Sequence, residues 1–151
     1  MAKLRILVAD DSEKLLAALQ LQLERHGFEV HTSPDAYLAL AKAKNFMPDL
    51  LILDIRMPAG NGFSVLERMD KIPELRHTPV IYMTGDQSAE LELRAEQMGA
   101  RGFVRKPISL PKMLELIDTV AAAGSRRTAS EPTEGKLWQI PDPGDADAAR
   151  E

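Results

Sequence analysis

Apolar residues along the chain fall into two alternating rhythms. LRILVA at 4 to 9, LLIL at 50 to 53, PVIYM at 79 to 83 and GFV at 102 to 104 are short continuous runs. Runs of that length with no polar face are the mark of strands buried on both sides of a parallel sheet. FEVHTS at 28 to 33 alternates apolar and polar instead, which suits a strand with one face less covered and predicts a sheet edge. Between the runs the spacing turns helical. Residues 13 to 26 put Leu15, Leu16, Leu19 and Leu23 on one stripe, closed by His26-Gly27 as a C-cap. Residues 35 to 45, 63 to 71 and 87 to 98 predict three more helices, the last ending at Met98-Gly99. In residues 110 to 121 the stripe is Leu110, Met113, Leu114, Ile117, Val120 and Ala121, with Leu116 beside it. Five strands and five helices in strict alternation predict a doubly wound α/β sandwich with right-handed crossovers.

The rhythm stops after Ala123. Residues 124 to 151 hold three Pro, three Gly and many charges, with one apolar island at Leu137, Trp138 and Ile140. That composition predicts a flexible tail on a domain spanning residues 1 to 123. At 151 residues, 44% of them hydrophobic, the chain suits one core. Its 19 Lys+Arg against 23 Asp+Glu, a net charge of -4, supply no electrostatic pull toward nucleic acid or an anionic membrane. No helix-turn-helix pattern appears in the tail, so no nucleic-acid partner is expected. Zero cysteines exclude disulfides and thiolate metal sites. The N-terminal apolar stretch is too short for a signal peptide and no run approaches membrane-spanning length; a cytoplasmic protein is expected.

Topology then gives the polar residues at the strand ends a meaning. In an open parallel sheet, chemistry sits beyond the carboxyl ends of the strands. Asp10 and Asp11, Asp54, Thr84 and Lys106 follow the first, third, fourth and fifth runs. Three carboxylates brought together repel unless a cation joins them, and Mg2+ is a hard ion that takes oxygen ligands and leaves positions for phosphate. A hydroxyl and an ammonium on the same rim suit the other oxygens of a phosphoryl group. The chemistry these groups fit is phosphoryl transfer onto a carboxylate.

VADDS at 8 to 12, LILDIRMPAGNG at 51 to 62, MTGD at 83 to 86 and FVRKP at 103 to 107 resemble the receiver (CheY-like) domain of two-component response regulators. The resemblance covers roughly residues 3 to 122, and four motifs in order are specific. It implies a flavodoxin-like sheet of order 2-1-3-4-5. It further implies that Asp54 accepts a phosphoryl group from a sensor histidine kinase or histidine phosphotransfer protein. Mg2+ would be held by Asp11, Asp54 and the Arg56 backbone carbonyl, with Asp10 joining through water. Thr84 and Lys106 would contact the acyl phosphate, Phe103 would be the switch aromatic turning inward with Thr84, and Lys106-Pro107 would be cis.

Each residue also has an ordinary reading. Asp11 or Ser12 alone is better read as a helix cap, and Ser12 is expected to be one. Thr84 alone suits a turn, Lys106 a solvated surface, and Phe103 a core strand. Chance does not readily place five such groups on one rim. His26, His31 and His77 lie away from the strand ends and are expected to carry neither metal nor catalysis. Arg56 and Asp86 flank the path of a hydrolytic water and are the expected modulators of the phosphorylated lifetime, either as an ion pair or with the guanidinium over the phosphate. Output, to a protein target or a second copy, is expected through the face of the fourth helix, fifth strand and fifth helix, where Leu116 is either a contact or core. The competing classes are a phosphorylation-independent interaction module, a receiver fragment of a longer regulator, and a Mg2+-dependent phosphotransferase or phosphatase acting on small molecules, which would need a substrate pocket and cap for which the sequence offers no insertion of suitable length.

Overall fold

Every apolar run forms a strand. A computed structural model describes residues 3–57 and 61–123; Pro58 to Gly60 and the expected tail, Trp138 included, lie outside the described residues. The strands are β1 (Arg5–Ala9), β2 (Glu29–Ser33), β3 (Leu50–Asp54), β4 (Val80–Thr84) and β5 (Gly102–Arg105). They pair in parallel in the order β2-β1-β3-β4-β5, so the alternating segment does form an edge. Among the described residues no helix is long and apolar enough to cross a membrane.

Period-two alternation within the apolar runs divides them between two cores. Ile6, Val8, Leu50, Ile52, Ile81 and Met83 face one layer, covered by α1 (Glu13–Arg25) and α5 (Leu110–Ala122). Leu7, Leu51, Leu53, Val80, Tyr82 and Phe103 face the other, covered by α2 (Ala36–Phe46), α3 (Gly62–Met69) and α4 (Ala89–Gln97). Among the described residues, all five helices begin at a residue whose side-chain oxygen accepts a backbone N–H, namely Ser12, Asp35, Asn61, Ser88 and Ser109. Such caps satisfy donors that the first turn leaves unpaired. They also explain why α2 and α4 start one and two residues later than periodicity alone suggests. His26 and Met98 cap α1 and α4, as expected.

Two boundaries matter for the site. Asp54 and Thr84 are the last residues of β3 and β4, one beyond the apolar runs, because the ladder continues through Asp54↔Met83 and Thr84↔Arg105. Backbone pairing is indifferent to the polarity of the side chain it carries. The stripe of α5 differs from the expected one: Leu116 is buried with Met113, Ile117 and Val120, while Ala121 is exposed. The cause is Gly102. A methyl group there would stand 2.9 Å from Leu116 Cδ2 and 2.9 Å from Ile81 Cγ1, so the missing side chain is the space that Leu116 fills. Leu116 is therefore core and not part of a partner surface.

Candidate functional site

The carboxyl ends of β1 and β3 bring three carboxylates together. Asp10 follows β1 and is fully buried, Asp54 ends β3 and is 4% exposed, and Asp11 is exposed. One oxygen of each lies within 4.8 Å of the others. Asp10 is held by the chain turning over it, since Ser12 N–H donates to its Oδ1 at 2.8 Å and Asp10 N–H donates to the Ser33 carbonyl at 3.1 Å. Ser12 meanwhile uses its own hydroxyl to cap α1 by accepting from Leu15 N–H. The expected cap is thus real, and the same turn orients Asp10.

Lys106 enters from the loop after β5, whose Lys106-Pro107 bond is cis. Its Nζ is 2.6 Å from Asp10 Oδ2 and 3.5 Å from Asp54 Oδ2. Burial alone would lower the Lys106 ammonium, but the close approach of Asp10 and the Asp54 charge outweigh it and hold it above the ordinary lysine value. Burial lifts the Asp54 carboxyl to about 6, and the Asp10 charge adds to the rise, while Lys106 and a hydrogen bond from the Arg56 backbone N–H oppose it. Electrostatically the site is short of positive charge, with three carboxylates facing one ammonium. Asp10 Oδ2 has that ammonium beside it but no donor in hydrogen-bond geometry. An all-oxygen donor set with unbalanced negative charge fits a hard divalent cation such as Mg2+.

Thr84 is 1% exposed and its Oγ1 accepts the Asp86 N–H at 3.0 Å, which starts the turn leading to α4. Asp86 in turn accepts from Ser88 N–H at 2.8 Å. That bond, followed by the Arg56 guanidinium, holds its carboxyl below the usual range. Arg56 Nη2 reaches Asp86 Oδ2 at 2.6 Å, so of the two expected arrangements the ion pair across the mouth is the one observed. Phe103 lies apart from the carboxylates, 5% exposed in the core layer, with the Arg105 guanidinium 5.2 Å from its ring centre. His26 is exposed on α1, and His31 stacks on Phe46 with ring centres 3.7 Å apart; neither joins the site.

Two supports were not read from sequence. Tyr82 is fully buried in β4 and its hydroxyl donates to the Gly62 carbonyl at 2.9 Å, tying the start of α3 to the sheet. Gly62 itself packs against the end of β3, where a Cβ would stand 2.7 Å from the Asp54 carbonyl oxygen. The available signal was a phenol in an otherwise apolar run, because a buried hydroxyl needs a partner. Beside the site, Ile55, Met57, Phe63 and Leu91 form a groove of about 500 Å3 with Arg56, Asn61 and Arg94.

Comparison with known proteins matches residues 6–118 to the response regulator receiver domain. Response regulator PleD of Caulobacter vibrioides is 36% identical over 104 residues, 69% of this chain and 23% of PleD. The chain therefore spans under a quarter of that relative. Protein PilH of Pseudomonas aeruginosa is 32% identical over 118 residues, covering 78% of this chain and 98% of PilH. The solved chemotaxis protein CheY4 of Vibrio cholerae superposes with a TM-score of 0.74 at 29% identity, over 79% of this chain and 99% of that one.

Proposed function

The chain belongs to the response regulator receiver family, and from that premise we propose that Asp54 accepts a phosphoryl group from a phosphohistidine on a sensor kinase or phosphotransfer protein. The observation that carries the reading is the meeting of Asp10, Asp11 and Asp54 within 4.8 Å with the Lys106 ammonium 3.5 Å from the Asp54 carboxylate. An Asp54 oxygen attacks phosphorus, the P–N bond breaks, and the imidazole leaves with the bonding pair; a proton already on the other ring nitrogen, or one taken from solvent, makes it neutral. The product is a mixed anhydride on Asp54.

Asp11, Asp54 and the Arg56 carbonyl would hold Mg2+, with Asp10 linked through water. Bound there, the ion neutralises charge on the transferring phosphoryl oxygens. Lys106, already held cationic, pairs with one such oxygen, and Thr84 turns its hydroxyl from Asp86 N–H to another. Loss of the Thr84 bond loosens the turn before α4, and the already buried Phe103 follows the vacated space, which couples phosphorylation to the α4, β5, α5 face. Exposed Leu93 on α4 and the Arg105–Glu92 ion pair at 3.3 Å between β5 and α4 make that face the proposed contact for a protein target or a second copy. Donor proteins of this chemistry draw on ATP, which supports a cytoplasmic setting. Arg56 and Asp86 modulate the lifetime of the anhydride because their pair spans the approach of water.

Intact-mass measurement after incubation with Mg2+ and acetyl phosphate or phosphoramidate tests the acceptor. One labile phosphoryl adduct that requires Mg2+ and is lost in Asp54→Ala is expected. No adduct in a chain that still binds Mg2+ would overturn the reading in favour of a phosphorylation-independent module.

A further inference from the structure

Tyr82 stands where a wholly apolar side chain would fill the core as well. It lies two residues before Thr84 on β4, and so on the same face of the strand. It is fully buried, its ring edge-on to Phe63 with centres 5.1 Å apart and planes at 69°. A buried hydroxyl is costly unless it is hydrogen-bonded, and this one donates to the Gly62 carbonyl at 2.9 Å.

Gly62 in turn reaches back to the residues after Asp54. Its N–H donates to the Ile55 carbonyl at 2.8 Å, and Arg56 forms an antiparallel bridge with Asn61. The peptide unit joining Ile55 to Arg56 is thereby bonded at both ends, because its N–H donates to the Asp54 carboxylate. A peptide unit is planar, so fixing its oxygen fixes the direction of its N–H. The next carbonyl along the chain is that of Arg56. We propose that Tyr82 is a positioning residue for the cation site: its hydroxyl, acting through Gly62, holds the Ile55–Arg56 peptide so that the Asp54 carboxylate and the Arg56 carbonyl are aligned before Mg2+ arrives. This rests on the ligands named in the proposed function. The relay contains neither Lys106 nor Thr84, so its loss weakens metal binding and leaves the contacts to the phosphoryl group in place.

Tyr82→Phe removes the hydroxyl and keeps the ring, and the chain is expected to fold. A Mg2+ titration followed by backbone amide shifts should show affinity lower by about three- to tenfold, the range of one hydrogen bond's net contribution. Labelling of Asp54 by acetyl phosphate should slow at limiting Mg2+ and return to the native rate at saturating Mg2+. In EDTA, exchange of the Gly62 amide should quicken by a similar factor beyond any change at the β3 amides. Val80→Ala, in the same core layer but at the other end of β4, should lower stability in urea with Mg2+ affinity unchanged. Native affinity in Tyr82→Phe overturns the proposal and leaves the hydroxyl a packing group. An equal loss of affinity in Val80→Ala also overturns it, since general loosening would then suffice. So do unchanged Gly62 exchange, slow labelling that saturating Mg2+ does not restore, and a native chain that binds no Mg2+. Should the native chain bind Mg2+ but take no phosphoryl group, the functional reading fails while the titration still decides the role of Tyr82.

Discussion

Burial lifts the Asp54 carboxyl to about 6, against 3.8 for the free group, so the folded chain binds a proton there more tightly than the unfolded chain does. The stability this contributes is fully present below pH 3.8 and is lost as pH rises through about 6. Without metal, Asp54→Asn is therefore expected to be increasingly more stable than the native chain across that window. By neutral pH the gain should be on the order of 2 to 3 kcal/mol at about 1.4 kcal/mol per pKa unit. Thermal melts of both proteins in EDTA from pH 3.5 to 7.5 test this, and a constant difference would contradict it. Lys106→Ala should act in the opposite sense, because it leaves Asp10 and Asp54 buried without their ammonium. A loss of about 2 to 4 kcal/mol near pH 7 is expected, shrinking in acid as Asp54 takes up its proton, and urea unfolding at two pH values checks it. For Arg56→Ala the prediction is kinetic: the lifetime of the phosphorylated state changes while Mg2+ affinity stays near that of the native chain, since the side chain is not the ligand. An affinity loss as large as that of Asp11→Ala would refute the assignment. Among these residues the meeting of Asp10, Asp11, Asp54 and Lys106 on one rim was legible from position alone, because strand ends in a parallel sheet converge. The Arg56–Asp86 pair was legible only as one of two arrangements, since side chains 30 positions apart settle on a partner only in three dimensions.

At the scale of elements, two glycines set how closely helices approach the sheet. Gly62 begins α3 against the backbone of β3, where a Cβ would be 2.7 Å from the Asp54 carbonyl oxygen and 2.9 Å from Tyr82 Cε1. Gly62→Ala must push α3 outward and is expected to cost about 1 to 3 kcal/mol. Because it displaces the loop that follows Asp54, it should also slow labelling by acetyl phosphate. Normal labelling in a folded variant would show that the close approach serves packing only. Gly102 makes the equivalent space on the other face, and it decides why Leu116 is core although the heptad-like stripe of α5 left it aside. Helical periodicity locates a stripe to within one position on either side; which neighbour turns inward depends on the shape of the surface it meets. The helix starts were legible in part, because Ser and Asp caps announce themselves. The extra residue of β3 and β4 was not, because hydrophobicity ends before backbone pairing does.

For the molecule as a whole, the cluster couples metal, charge and stability. Any ligand that binds only the folded state stabilises it by mass action, by about 2.7 kcal/mol at a hundredfold excess over Kd. Mg2+ should raise the melting temperature near pH 7 and do so less at pH 4.5, where protons compete for Asp54. Equal shifts at both pH values would mean that the ion binds elsewhere. The sequence by itself determined the alternation of strands and helices, the edge position of β2 and the identity of the strand-end groups. Those follow from local periodicity and from the convergence that any doubly wound sheet imposes. Only the tertiary structure decided that Lys106 sits nearer Asp10 than Asp54, that Arg56 pairs with Asp86, that Leu116 turns inward over Gly102 and that a groove lined by Arg56, Asn61 and Arg94 as well as apolar residues opens beside the site. Each of these depends on distances between segments remote in the chain, and packing sets such distances where local pattern cannot.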